Sequence, residues 1–365
     1  MKNIKFFLPI LFCLLVFSCQ KDNTPPVNPT DPSAEMYFPP EAHNDWDNVL
    51  PSALDWNEAK LADLRAYLDS KKTRGFIILV NGKIVVEEYF KDHNINKNWN
   101  WYSAAKSLTS TMVAIAQDEG HLNINDKSSD YLGQGWSSLT TAQEEDILVK
   151  HHISMTTGLQ NPIGNFNQWT CVTPSCFNYQ AAPGTRWAYH QGAFTLTQDI
   201  ITQATGLNFK QYGKQKIRDK IGMTGSWSQL LNVRIFSSST RSMARFGLLA
   251  LNEGVWDGET IYPMAYHNEM TNTSQNMNNA YGYLWWLNGK NNFLGTADQT
   301  LYPGSLIPNA PADMYAALGA QDQKIYVVPS KKMVVVRCGE SAGNTEFATS
   351  SFDNELWGKI NEVLP

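Results

Sequence analysis

The sequence predicts an α+β fold: an antiparallel β-sheet flanked by N- and C-terminal helices, with a mainly helical segment inserted between them. Three observations carry this prediction. First, two β-rich runs, GFIILV and KIVVEEYF, flank Asn81-Gly82, and Asn-Gly between such runs is the strongest short hairpin signal. Second, MYAALGA, KIYVVP and KMVVVR follow one another near the C-terminal end, separated by short turns. Third, from about 120 to 290 short helical patterns alternate with loops rich in Gly, Asn and Trp, and no internal repeat is visible. The simplest arrangement joins both ends of the chain in one sheet-containing part, about 46–118 and 290–365. The helical part, about 119–289, is inserted into it.

Taken in order, the chain starts with Lys2 and Lys5 and then an almost wholly apolar run from Phe6 to Phe17. That run is short for a membrane span and fits an export signal. It ends in Val16-Phe17-Ser18-Cys19, which resembles the lipobox of bacterial lipoproteins, where a small residue precedes a cysteine that is lipidated after cleavage. The resemblance implies that residues 1–19 are a signal peptide and that the protein is exported. It also implies that Cys19 anchors it to a cell-envelope membrane, since several acyl chains on one cysteine hold stably. Residues 20–45, dominated by NTPPVNPTDPSAEMYFPP, read as a semi-rigid tether, and the folded domain is expected over 46–365.

Within that domain, Asp55-Trp56-Asn57-Glu58 has the form of a capping box with Asp55 as the cap. Leu61, Leu64 and Leu68 follow at helical spacing. The stretch from Ser103 to about Asp118 contains no Gly or Pro, and Leu108, Met112 and Ile115 share a face. It reads as a helix beginning at or near Ser103. SMARFGLLALN, 242–252, is a further helical piece, and Phe352, Leu356 and Ile360 mark a last one.

Composition narrows the function. The chain has 365 residues, 42% hydrophobic and 17% charged, which suits a large core and not a disordered segment. A net charge of -5 with no basic stripe argues against nucleic-acid binding. Cys338, in the run VVVRC, reads as buried and inert. Cys171 and Cys176, in CVTPSC, can form a small-loop disulfide in an exported protein. Their spacing, with no nearby histidine pair, speaks against a metal site. His151 and His152 are adjacent and do not share a helix face, so they read as structural. No phosphate-cradling loop, zinc signature or dinucleotide fingerprint is present, so neither metal nor cofactor is expected. Trp99, Trp101, Trp285 and Trp286 read as core, with walls of an apolar pocket drawn from among them.

The chemistry centres on WYSAAKSL, residues 101–108, which sets Lys106 three positions after Ser103 in an apolar run. On a helix such residues are surface neighbours, about 5–6 Å apart at Cβ. A serine hydroxyl needs a nearby base to become a nucleophile, and burial makes the neutral form of a lysine accessible. The helix start also offers N–H groups, that of Ser103 included, to a developing oxyanion. The four-residue pattern alone is weak, since Ser18-Cys19-Gln20-Lys21 repeats it. Further on, Tyr189, His190 and Gln191 sit between a Pro-Gly turn and a helical run. ALGAQ, 317–321, is a strand of small residues that permits close backbone approach.

In this order, S-x-x-K, the tyrosine segment and the small-residue strand resemble the serine β-lactamase-related hydrolases. These include class C β-lactamases, D-alanyl-D-alanine carboxypeptidases, family VIII esterases and nylon-oligomer hydrolases. HHISMTTGL, MARFGLLALNEGVWDG, YGYLWWL and QKIYVVPSKKMVVV resemble linking segments of the same family. The resemblance implies a β-lactamase/transpeptidase-like fold and an acyl-enzyme formed on Ser103. It makes Lys106 the residue that tunes the proton network and Tyr189 the general base and later acid. The oxyanion hole would be the N–H groups of Ser103 and Ala320, with His190, Gln191 and Gly319 toward substrate. Its partner would be a small-molecule or peptide-like acyl substrate. Two positions depart from the pattern. Gln191 stands where asparagine is common, with the same amide on a longer reach. Ala317 stands where lysine or histidine commonly begins the third motif, and it offers no cation to a substrate carboxylate. An ester or amide hydrolase is therefore expected ahead of a carboxypeptidase, a β-lactamase or a non-catalytic penicillin or muropeptide sensor.

Overall fold

The computed structural model describes residues 1, 35–41, 45–161, 165–343 and 350–365. The expected signal, Cys19 and most of the expected tether lie outside the described residues. The first part of the fold comprises helix α1 (Glu58–Ser70), strands β1 (Thr73–Val80), β2 (Lys83–Tyr89) and β3 (Trp99–Asn100), and helices α2 (Ala105–Asp118) and α3 (Gln191–Thr205). Strands β4 (Ser226–Leu230) and β5 (Val233–Ser238), helix α4 (Thr240–Leu251) and strand β6 (Trp286–Leu287) follow. Strands β7 (Tyr315–Gly319), β8 (Gln323–Val328) and β9 (Met333–Gly339) and helix α5 (Ser351–Val363) complete it.

The main sheet is antiparallel, in the order β2-β1-β9-β8-β7-β6. Its first hairpin turns at Asn81 (φ 51°) and Gly82 (φ 83°), two left-handed positions that these residues occupy at low cost. Pairing of β1 with β9, from Phe76 opposite Arg337 to Val80 opposite Met333, joins the two ends of the chain. Side chains alternate across each strand. On β8, Lys324 and Tyr326 face α5, where Lys324 Nζ lies 2.8 Å from Asp353 Oδ2 and the Tyr326 ring packs edge-on to Trp357. Ile325 faces the other side, against α4. A Cβ at Gly247 of α4 would lie 2.5 Å from Val334 Cγ1 and 3.0 Å from Ile325 Cγ2, so the glycine lets the helix lie close on the sheet. The sheet is thus a filled middle layer, as the α+β reading requires.

Two sequence expectations change. The middle of the chain is not only helical: α4 and β6 come from it and join the sheet part, while β4 and β5 form a hairpin that pairs with β3. Asp55 does not cap α1. It adopts a left-handed conformation (φ 57°) closing an earlier turn, and the helix begins after Asn57. The helix expected at or near Ser103 is present: Ser103 lies in a 3₁₀ turn, Tyr102–Ala104, that feeds directly into α2.

Other expectations hold. Cys171 and Cys176 are disulfide-bonded and Cys338 is a buried free thiol. His151 Nδ1 accepts from the Leu148 N–H, and His152 bridges Ser128 and the Ala193 carbonyl, so each holds backbone or side chain in place. Among the described residues, no helix is long and apolar enough to cross a membrane.

Candidate active site

The turn carrying Ser103 is held from both sides. The Trp101 N–H donates to the Phe236 carbonyl at 2.8 Å, and the Trp101 indole donates to Ser238 Oγ at 2.8 Å, both on β5. Tyr102 then takes φ 48°, a left-handed conformation that is costly for an aromatic residue. Strain of this kind persists where the surrounding structure over-determines it, as at a presented nucleophile.

On the other side runs β7. A Cβ at Gly319 would lie 2.2 Å from the Trp101 carbonyl oxygen and 3.0 Å from the Ala104 nitrogen. Only glycine permits this approach, and it brings the next residue, Ala320, to the edge of the same cavity as Ser103. Gly319 itself therefore serves the approach of two backbones.

The turn after Ala320 is locked from behind. Gln321 and Asp322 both have positive φ, 56° and 60°. Arg337 Nη1 donates to both of their carbonyls at 3.0 Å. The buried Asp322 carboxylate accepts from the Ala342 N–H (2.8 Å) and from Ser350 Oγ (2.7 Å), with Lys324 Nζ at 3.2 Å. A Gly319→Ala variant is expected to force β7 away from the Ser103 turn. Thermal unfolding should show a loss of about 1–3 kcal/mol, as for overpacked sites. Ester turnover should fall by up to about 10²-fold, the effect of a small misplacement at a catalytic site. Wild-type turnover would refute this role.

Lys106 sits in the first turn of α2 and is only 4% exposed. Its Nζ lies 3.2 Å from Ser103 Oγ and donates to Gln191 Oε1 at 2.6 Å. It also lies over the rings of Phe194 (4.4 Å to the centroid) and Tyr189 (5.0 Å). Among the described residues no carboxylate is its partner, and burial lowers its pKa to about 7. Tyr189 is packed by aromatic neighbours: Trp286 of β6 stacks on it, Trp187 tilts against it, and Tyr281 meets Trp286 edge-on. Burial raises the phenol's pKa strongly, offset in part by a hydrogen bond with the Ser103 side chain. The expected phenolate is therefore not what this environment favours. Burial keeps Tyr189 protonated, while the neutral amine of Lys106 is within reach near neutral pH.

The two neighbours of Tyr189 in sequence separate. Gln191 begins α3 and borders the cavity, but its amide is already engaged: the oxygen takes Lys106, and Nε2 donates to Thr195 Oγ1 at 3.4 Å. It positions Lys106 through its amide oxygen. His190 turns the other way, because successive side chains of extended backbone point to opposite sides. It is buried against Phe177, and its Nδ1 caps α3 by accepting from the Ala193 N–H at 3.2 Å. The expected substrate contact of His190 is corrected to a structural one.

A cavity of about 250 Å³ opens beside Ser103 and Lys106, walled by Phe166, Trp169, Phe194, Trp227 and Ile235. Trp99, Trp101, Trp285 and Trp286, read mostly as core with some of them walling a pocket, do not border it. Trp101 and Trp285 are core, Trp286 packs Tyr189, and Trp99 donates to the Gly339 carbonyl. The true walls come from the β4–β5 hairpin and the segment before the disulfide. A signal for the hairpin exists in WSQLLNVRIF, whose alternation about Asn232 is strand-like.

The profile of the beta-lactamase family matches residues 62–354. The chain belongs to this family. Other similarities agree with the membership. An uncharacterized protein of Alkalihalophilus pseudofirmus is 24% identical over 310 residues, 74% of this chain and 84% of that one. A candidate 6-aminohexanoate-dimer hydrolase from Bacillus anthracis superposes with a TM-score of 0.65 at 19% identity, covering 90% of this chain and 89% of that one. A family VIII carboxylesterase (TM-score 0.63, 15% identity, 83% and 96% covered) and a penicillin-binding protein homologue from Caulobacter crescentus (0.63, 12%, 83% and 97%) share the fold. In this beta-lactamase family chain Ala317 pairs with Ile325 inside the sheet and is buried, so that position brings no cation to the site.

Proposed function

We propose that the chain is a serine hydrolase that cleaves an ester or amide through an acyl-enzyme on Ser103. The observation that carries this reading is the cluster of half-buried Ser103 with buried Lys106 and Tyr189 beside an apolar cavity, with Lys106 poised to be neutral near pH 7. Ser103 gives its proton to Lys106 Nζ as Oγ bonds to the substrate carbonyl carbon. The oxyanion is met by the N–H groups of Ser103 and Ala320. As the bond to the leaving group breaks, Tyr189 protonates the departing atom and recovers its proton from Lys106. Water then repeats the sequence on the acyl-enzyme and releases the acid. The roles differ from the sequence expectation in making Lys106 the base and Tyr189 the acid.

Export and a lipid anchor at Cys19 belong to the same proposal and are supported by the apolar run and the Val-Phe-Ser-Cys ending alone.

Treatment with a fluorophosphonate, followed by mass spectrometry of the digest, tests the central claim. The adduct is expected on Ser103 and is expected to disappear in Ser103→Ala. Labelling that persists in that variant rejects the assignment. An acyl adduct that forms with substrates and never turns over would instead favour a sensor.

A further inference from the structure

We infer that the cavity beside Ser103 receives the hydrocarbon part of an uncharged ester, and that the Leu230–Leu231 hairpin tip carries a longer chain from the cavity across its rim. This rests on the serine hydrolase reading and adds the substrate class.

The first ground is charge. Two cationic side chains border the cavity, Lys106 and Arg234. Lys106 is committed to Ser103 and Gln191. The Arg234 guanidinium lies 2.6 Å from Asp199 Oδ1, donates to Gln198 Oε1 at 3.2 Å and to the Thr195 carbonyl at 3.4 Å, and covers the Phe209 ring. Its charge is thus already balanced by Asp199, so it attracts a substrate carboxylate less than a free guanidinium would. Ala317 adds no cation, and the Gln191 oxygen is taken up by Lys106. Among the described residues, what the cavity offers a ligand is mainly aromatic and aliphatic surface, which rewards apolar groups.

The second ground is the rim. Phe166 and Leu230, 47% and 52% exposed, both border the cavity while facing solvent. Leu231 follows at 52% exposure in the two-residue turn between β4 and β5. Its φ is 53°, at the first central position of a hairpin turn, where glycine is the favoured residue. A branched apolar side chain held there breaks two local rules at once, being strained and exposed. Such violations mark positions kept for contact and not for stability. Phe166 and Leu230 continue the apolar wall outward from Ser103, and Leu231, next in the chain beyond Leu230, extends the exposed apolar surface of the hairpin tip, the path we assign to an acyl chain too long for the cavity.

The test is a series of p-nitrophenyl esters from acetate to decanoate, below their aggregation concentrations, with the full-length protein, Ser103→Ala and Leu231→Gly. For the wild type, kcat/KM is expected to rise about threefold to fourfold per added methylene through the early members, the factor for burying one methylene. p-Nitrophenyl hemisuccinate, with its carboxylate, is expected to be at least about tenfold poorer than the butyrate. In Leu231→Gly the chain-length slope is expected to flatten for the longer members. That turn suits glycine, so its thermal midpoint should not fall. Ser103-dependent turnover that is flat or falling with chain length, a preference for the hemisuccinate, or an unaltered slope in Leu231→Gly would overturn the inference while leaving the hydrolase reading intact. No Ser103-dependent turnover of any ester would overturn the inference, and the absence of a fluorophosphonate adduct on Ser103 as well would overturn both.

Discussion

Replacing Lys106 with methionine is expected to lower kcat about 10³–10⁴-fold, near the upper end of what a positioned base contributes, and at the same time to make the protein more stable. The first effect follows from geometry. Among the described residues, Lys106 Nζ is the basic nitrogen within hydrogen-bond reach of Ser103 Oγ. The second follows from burial. The amine is enclosed without a carboxylate, and enclosure brings its pKa from 10.5 to about 7. Between these values the unfolded chain binds a proton that the folded protein does not, so stability rises with pH across that window. Below pH 7 both states are protonated and the folded protein carries the full cost of a buried charge. Methionine matches the length of the side chain and removes that cost, an exchange that elsewhere yields about 1–4 kcal/mol. Lost hydrogen bonding to Gln191 offsets part of it. The stability advantage of Lys106→Met should therefore be largest at pH 6–7 (roughly the lower edge of the window) and shrink toward the ordinary lysine pKa. Denaturant melts at several pH values measure it. A variant less stable than wild type at neutral pH would contradict the account of an uncompensated buried amine. In the wild type, kcat/KM should rise as the pH passes upward through about 7 and Lys106 loses its proton.

Tyr189→Phe should lower turnover about 10²–10⁴-fold, but unevenly across substrates. The phenol is enclosed by Trp187, Trp286 and Tyr281, and burial holds its proton in place. A protonated phenol can give its proton to a leaving group; it cannot first take the proton of Ser103. Esters of poorly acidic alcohols, and amides, need that donation, and should suffer the full loss. In the acylation step, read from the burst of released p-nitrophenol, a p-nitrophenyl ester departs readily as an anion and should lose far less, while deacylation, in which Ser103 Oγ departs, is common to both esters. Comparing the acylation rates of ethyl and p-nitrophenyl esters of one acid separates the roles: equal losses on both would assign Tyr189 as the base and return Lys106 to a supporting part. Phenylalanine keeps the ring packing, so the fold should be little affected.

Much of this arrangement was open to reading before any coordinates. The pairing of Ser103 with Lys106 is a local matter, since three residues on a helical turn are neighbours whatever the rest of the chain does. The β1–β2 hairpin followed from Asn81-Gly82 and the three late strands from their β-branched runs, because turn chemistry and alternation act within a few residues. Tyr189 was recognisable only by resemblance to a family, as nothing within its own segment points across 86 positions to Ser103. The same distance hid the direction of its neighbours. Whether His190 or Gln191 meets Lys106 depends on where an extended segment ends and α3 begins, and a shift of one residue exchanges their faces.

By itself, then, the sequence determined the β1–β2 hairpin, the three late strands, the main helices, the α+β class and the Ser103–Lys106 pair, all properties of short-range sterics and periodicity. Tertiary structure alone decided the proton roles, the cavity walls and the use of Gly319. A pKa is a property of an enclosure, and the enclosure of Lys106 and Tyr189 is assembled from α2, α3 and β6. The walls come from Trp169 and Trp227, brought together by packing and not by spacing. Gly319 is needed because another strand's neighbour, the Trp101 carbonyl, lies where its side chain would be. Long-range contacts of this kind depend on register and layer packing, which no single stretch of the chain encodes.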